Sequence, residues 1–225
     1  MDVEPGTVVV YTDVGCPWST IALHRFYRAR SKLCLDGKVH IEHRLFLLED
    51  AGDAPTSRTT IDAEMPVLGP LHPELGFALW HGGDDAWPSS TLLANEAVHA
   101  ARLQSPQAAE TLDMELRLAF FRDSRCISLL HEIVAIAKDC AGVDAGELQQ
   151  ALEDGRARGQ MMADYRAHRD EVKLSPHFFL PDGTDMPNPG MQLHMEGEPA
   201  YPVIDSDDPS VYESLVRAGS GVGDG

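Results

Sequence analysis

An α/β fold interrupted by a block of helices is what this 225-residue sequence predicts, and three observations predict it. The first stretch of the chain alternates strand, helix and strand patterns. Residues 92–172 then carry only three-to-four spacing of apolar positions, and strand patterns return after residue 175.

Each element follows from its residues. TVVVYT, residues 7–12, is β-branched and uncharged, which suits a strand buried on both faces. A turn at 13–15 leads to Pro17, favoured at a helix start because its missing N–H would lack a partner there anyway. Ile21, Leu23, Phe26 and Tyr27 supply that helix's apolar face, and Asp36-Gly37 ends the segment. Residues 38–48 alternate as a strand with Val39, Ile41, Leu45 and Leu47 on one side. The two strands are expected to be parallel, joined by a right-handed crossover. Residues 49–90 are rich in Pro, Gly and Asp and read as a long connection with a turn or two of helix.

Residues 92–104, 106–124, 127–140 and 145–152 then read as helices, and 160–172 as a weaker, more charged one. Ser105 caps the second of these ahead of Pro106. Gly142 ends the third, and Asp144 caps the fourth. Residues 176–184 form an apolar strand run with an Asp182-Gly183 turn, residues 200–205 another short strand. Asp208, Pro209 and Gly219 frame a last helix. The closing GSGVGDG has the glycine spacing of a phosphate loop but no helix after it, so it is expected to be a disordered tail. The organisation is thus 1–60 and 173–219 for the α/β part, 61–172 for the helical insertion with its entry loop, and 220–225 for the tail.

Lys and Arg total 18 against 36 for Asp and Glu, a formal charge of −18. A chain so acidic cannot replace the counterions of a phosphate backbone, so nucleic acid is excluded as a partner. An anionic membrane surface is excluded on the same ground, and no run approaches the ~18 apolar residues of a spanning helix. MDVEPGTVVV is acidic and runs straight into a strand, unlike a secretory signal, so a reducing cytoplasm is expected.

The four cysteines are Cys16, Cys34, Cys126 and Cys140. One helix between the first two would part them by roughly 25 Å at ~1.5 Å per residue, far beyond the ~7 Å reach of a disulfide. The same arithmetic separates Cys126 from Cys140. Cys34 and Cys140 are expected to be small buried hydrophobes.

Cys16-Pro17-Trp18-Ser19 stands at the strand-to-helix turn. A cysteine there faces unpaired N–H groups and the positive end of the helix dipole, which favours thiolate over thiol. A fall from ~8.5 to about 6.5 would lift the thiolate fraction at pH 7 from roughly 3% to about 75%. Nucleophilicity falls with a slope of ~0.4–0.5, so the larger gain is that such a thiolate leaves a mixed disulfide readily. Ser19, three positions on, returns to the same side of the first turn. Its hydroxyl can donate to a thiolate but cannot form a disulfide. Cys16 can therefore hold a mixed disulfide that an outside thiol must resolve.

With these residues in place the chain resembles the DsbA-like family of the thioredoxin superfamily, in particular its cytoplasmic branch of dithiol–disulfide isomerases. Cys16-Pro17-Trp18, SSTLLANEAVHAARL, ELRLAFFRDSRCIS and LSPHFFLPDG carry the resemblance, and Ser175-Pro176 fits the family's cis-proline. It extends from about residue 7 to 219. It implies a thioredoxin fold interrupted by an α-helical insertion domain, acting in thiol–disulfide exchange. Cys16 would be the nucleophile, and Pro176 would face it with the preceding backbone receiving an extended substrate. Ser175 would tune Cys16 or serve only as a turn residue. Pro17 and Trp18 would meet the substrate, or Trp18 would simply pack.

Ser19 departs from the family's second cysteine and shifts the expected chemistry to a monothiol cycle. Glutathione or protein thiols and disulfides would be the partners, with no permanently bound cofactor. Cys126 could resolve the mixed disulfide if the insertion leans over the site. Two other readings remain. Kappa-type glutathione transferases and hydroxychromene carboxylate isomerases resemble this architecture but carry serine in place of Cys16. A peptide-binding module without catalysis is the third.

The histidines offer less. His24 lies ~12 Å along the helix from Cys16, too far to be its base. Strand alternation turns His177 away and sets His40 and His43 on opposite faces. No Cys/His cluster has zinc spacing.

Overall fold

The computed structural model describes residues 1–198 and 200–221. Strand β1 (Thr7–Thr12) runs into helix α1 (Pro17–Lys32) and strand β2 (His40–Leu45), which pairs with β1 in parallel. Two helices follow, the short α2 (Leu48–Ala51) and α3 (Arg58–Leu68). Then come α4 (Leu92–Arg102), α5 (Pro106–Phe121), α6 (Leu130–Asp139), α7 (Ala145–Asp154) and α8 (Arg158–His168). The chain returns as β3 (His177–Phe179), β4 (Asp185–Pro187), β5 (Met191–Glu196), β6 (Tyr201–Asp207) and α9 (Val211–Gly219).

The main sheet has the order β2-β1-β3-β4, with β1/β3 and β3/β4 antiparallel. It is the thioredoxin-like arrangement the sequence predicts. On one face Val8, Val10, Ile41 and Phe178 pack against Leu23 and Phe26 of α1 and Leu215 and Val216 of α9. Burying each large side chain of this set contributes roughly 1.5–3 kcal/mol. A Cβ on Gly219 would lie 2.5 Å from Val8 Cγ2, so glycine lets α9 reach the sheet. On the other face Val9, Tyr11 and Phe179 meet Val172, and at the end of β2 Met161 and Tyr165 of α8 cover Leu45 and Leu47.

The helical block has its own core, built from Leu112 and Leu116 of α5, Ala97 and Ala101 of α4, Ile133 of α6 and Leu148 of α7. That core continues into Val14 and Ile21, so helices and sheet close on each other at the turn before α1. Ser105 and Asp144 cap α5 and α7 as expected, accepting from Ala108 N at 3.0 Å and from Gly146 N and Glu147 N at 2.9 Å.

Two expectations need correction. The 49–90 connection holds an eleven-residue helix, α3, with Ile61, Glu64, Met65 and Leu68 on its buried side. The short strand expected at 200–205 is β6, which pairs with β5 in a separate two-stranded hairpin, while β4 takes the edge of the main sheet. Cys34 is exposed rather than buried, because the chain turns left-handed there (φ 56°) to end α1. Of the expected disordered tail, 222–225 lie outside the described residues, while Ser220 and Gly221 close α9 through backbone bonds to Val216, Arg217 and Ala218.

Candidate active site

The turn between β1 and α1 is fixed before any side chain of the motif is considered. Cys16 N donates to Asp13 O at 3.0 Å, and Cys16 is the N-cap of α1 with extended backbone (φ −97°, ψ 112°). The Asp13 side chain, fully buried, is the hub of that turn. Its Oδ1 accepts from Gly15 N at 2.8 Å and Asn95 Nδ2 at 3.0 Å. Its Oδ2 accepts from Leu48 N at 3.0 Å and Thr91 Oγ1 at 2.9 Å. One carboxylate thus joins the turn to α2 and α4. Gly15 is required beside it, since a Cβ there would lie 2.7 Å from Thr91 Cγ2.

Cys16 is only 3% exposed, and its Sγ donates to the carbonyl oxygen of Ser175 at 3.3 Å. The Ser175–Pro176 peptide is cis. The Ser175 hydroxyl accepts from Asp13 N at 3.1 Å and lies 2.7 Å from Ser19 Oγ. Cys16, Ser19 and Ser175 therefore form one cluster, and the last two are themselves buried. Pro176, adjoining Ser175, places its carbonyl on Asn188 N at 2.9 Å.

The ionisation of Cys16 departs from the expectation of a lowered pKa. Burial pushes the thiol up, and this outweighs the Ser175 and Ser19 hydroxyls and the Ser19 backbone N–H, which pull it down. Desolvation thus outweighs the pull of the helix terminus. The Ser175 carbonyl adds to the bias, because it accepts from a thiol and would repel a thiolate.

Two further groups act on the turn, and neither stood out from the sequence. Arg117 of α5 is the largest fully buried side chain. It donates to Asp113 Oδ2 at 2.8 Å, Asp13 O at 2.9 Å, Cys16 O at 3.3 Å and Thr12 Oγ1 at 3.0 Å. A buried cation thus props the turn from beneath. Glu64 of α3 accepts from Trp18 Nε1 at 2.8 Å, and burial pushes its carboxyl up to about 7 against the smaller pull of that bond. Its negative charge in turn raises Cys16. The signal for Glu64 lies in the spacing 61, 64, 65, 68, one helical face with a carboxylate in it.

A cleft of about 620 Å³ opens beside Cys16, with Phe46, Leu48, Ile61 and Leu174 among its apolar walls. Cys16, Pro17, Trp18, Glu64 and Ser175 also line it, and Lys173 is the cation at its edge. Trp18 is half-buried, so it both packs and faces the cleft. Cys126 precedes α6 and does not line the cleft, and Cys140 is buried at the end of α6. His177 is buried and bonded to Asp185 at 2.7 Å, away from the cleft.

His24, His72 and Glu74 bring potential metal-ligating atoms within 4.8 Å of one another. Arg25 Nε donates to His72 Nε2 at 2.9 Å and Arg28 to Glu74 Oε1 at 2.8 Å. Two guanidinium groups on those acceptors suit a hydrogen-bonded network, not a cation site.

Comparisons with solved structures agree with the fold. A probable DsbA oxidoreductase from Streptomyces coelicolor is 20% identical with a TM-score of 0.66, over 97% of this chain and 92% of that one. The cytosolic disulfide reductase DsbM from Pseudomonas aeruginosa is 16% identical with a TM-score of 0.57, over 80% and 87%. Its structure with glutathione covers 96% of both chains at 13% identity and a TM-score of 0.51. A 2-hydroxychromene-2-carboxylate isomerase is 17% identical with a TM-score of 0.56, over 80% and 87%. No curated protein matches the chain. The family model described as DSBA-like thioredoxin domain matches residues 7–172, and the chain belongs to that family.

Proposed function

We propose that this protein carries out thiol–disulfide exchange through the single nucleophile Cys16, with glutathione or a protein thiol as the second partner. One observation carries this reading: Cys16 alone of the four cysteines lines the cleft, while the place of a second thiol is taken by Ser19, bonded to Ser175. Cys16 sulfur attacks a disulfide R–S–S–R′ and forms Cys16–S–S–R. The R′ thiolate leaves and takes up a proton. An outside thiol R″–SH then attacks the mixed disulfide, giving R–S–S–R″ and restoring the Cys16 thiol. Electrons balance, since one disulfide is consumed and one formed.

The DsbM structure solved with glutathione supports glutathione as that outside thiol. A reducing cytoplasm would supply it, and no described helix is long and apolar enough to cross a membrane. The apolar walls of the cleft favour a second reading, a glutathione-dependent transferase or isomerase, in which Cys16 would be dispensable. The Cys16→Ser variant separates the two. Measured as glutathione transfer from a glutathionylated peptide to free glutathione, activity is expected to vanish in the variant. Unchanged activity would overturn thiol exchange, and peptide binding without turnover in either protein would favour a binding module.

A further inference from the structure

A buried thiol with a raised pKa needs a base. Burial holds Cys16 as a thiol, and its proton is given to a carbonyl, Ser175 O, that cannot take it away. The cleft that admits a disulfide to Cys16 has one other ionisable group set in its buried wall, Glu64, 9% exposed. Its position is fixed from two sides. Helix α3 presents it between Ile61, Met65 and Leu68, and the Trp18 indole of the motif itself holds its Oε1 at 2.8 Å. The bond on Oε1 leaves Oε2 as the place for a proton.

The charges on the neighbouring elements are otherwise spoken for. On α1, His24 pairs with Glu74 and Arg25 with Asp207 of β6. Asp205 of β6 pairs with His194, and Lys173 with Asp185. On α3 itself Arg58 pairs with Asp62 and Asp84. Cys16 and Glu64 are left facing one cleft, and a negative charge on Glu64 raises the cost of one on Cys16. One negative charge and one proton therefore suit the pair better than two charges.

We propose that Glu64 carries the proton of the Cys16 reaction, taking it from the thiol, directly or through one water, as the mixed disulfide forms and returning it to the departing thiolate. The S–H bond of Cys16 breaks, the S–S bond to substrate forms, the substrate S–S bond breaks, and the proton passes from Cys16 to Glu64 to the leaving sulfur. In the resolving step Glu64 takes the proton of the incoming thiol and delivers it to Cys16 sulfur as that leaves. A carboxyl poised near neutrality matches this task, since efficiency peaks when the carrier's pKa lies near the working pH. The inference rests on the thiol-exchange reading of Cys16.

The test is the rate at which Cys16 forms a mixed disulfide with neutral hydroxyethyl disulfide between pH 5 and 9. It is followed by quenched mass spectrometry in wild type, Glu64→Gln and Trp18→Phe, with iodoacetamide alkylation of Cys16 in parallel. Glu64→Gln keeps an acceptor for the indole and is expected to slow exchange at pH 7 by about 100-fold. At pH 9, where hydroxide ionises the thiol, its alkylation should be no slower than in the wild type, because the carboxylate charge that raises Cys16 is gone, and this also reports an intact fold. Trp18→Phe removes the donor that favours the carboxylate, so the neutral limb of the profile should move to higher pH. If Glu64→Gln and wild type share rate and profile, or Trp18→Phe leaves the neutral limb in place, Glu64 carries no proton and thiol exchange stands without it. If Cys16 is inert in the wild type at every pH, the exchange reading itself falls.

Discussion

The hydroxyls of Ser19 and Ser175 lie 2.7 Å apart and tie the first turn of α1 to the backbone ahead of Pro176. With Asp13 N on the Ser175 oxygen and Cys16 Sγ on its carbonyl, one serine gathers the Cys16 thiol, the turn and the segment that enters β3. The position that would hold a second thiol is thus part of a bonded cluster rather than an idle substitution.

Replacing Ser19 by cysteine should restore a self-resolving site. Residues three apart on a first helical turn place their Cα atoms within the ~7 Å a disulfide allows. The Ser19→Cys variant is expected to release bound glutathione from Cys16 unaided, read as loss of the adduct and of two free thiols in mass spectrometry. An adduct as long-lived as in the wild type would contradict the placement of Ser19.

Ser175→Ala should raise the Cys16 pKa further, because the Ser175 hydroxyl is one of the groups pulling it down. The pH profile of Cys16 alkylation is expected to move to higher pH. Stability should fall by about 1–3 kcal/mol in urea unfolding, since Asp13 N–H and Ser19 Oγ lose their partner.

Arg117→Met should cost about 3–5 kcal/mol, the usual penalty for leaving the other half of a buried pair, here Asp113, uncompensated. The same variant frees the carbonyls of Asp13 and Cys16. Cys16 alkylation is expected to slow in the fraction that remains folded.

Acid should unfold the protein partly through His99. Burial, more than the nearby Arg102, holds its pKa down to about 3, whereas the unfolded chain takes up the proton near 6.5. The unfolded state binds more protons below 6.5, so this contribution is full above that value and is lost as pH falls towards 3. Its slope is about 1.4 kcal/mol per pH unit. Burial lowers His43 as well, which reinforces the loss. Glu64, raised to about 7, has the opposite sign and gains stability as pH falls from 7 towards 4.5. In urea midpoints at pH 7.5, 6 and 5, His99→Gln should flatten the acid fall relative to wild type; equal slopes would contradict it.

The sequence makes legible whatever depends on local pattern. The β1 run, Pro17 at a helix start, and the Ser105 and Asp144 caps each follow from a few adjacent residues. What stayed hidden depends on contacts across the chain. Helix α3 was masked by Pro66 and by a carboxylate in its apolar stripe, and that carboxylate is the residue of most chemical interest. The strand at 201–207 is legible as a strand, but pattern alone cannot name β5 as its partner. Arg117 lies among apolar residues of α5, and only the fold carries it beneath Cys16. The raised Cys16 pKa has the same root: its helix terminus is visible in the sequence, its burial is not.

The most direct test of the account is intact-protein mass spectrometry with oxidised glutathione at pH 7.5, with peptide mapping of all four cysteines through time. The buried Cys16 is expected to take a single glutathione ahead of the exposed Cys34, and the adduct to persist until an outside thiol is added. Modification of Cys34 first, with Cys16 untouched, would make Cys16 an ordinary buried thiol and contradict the proposed chemistry.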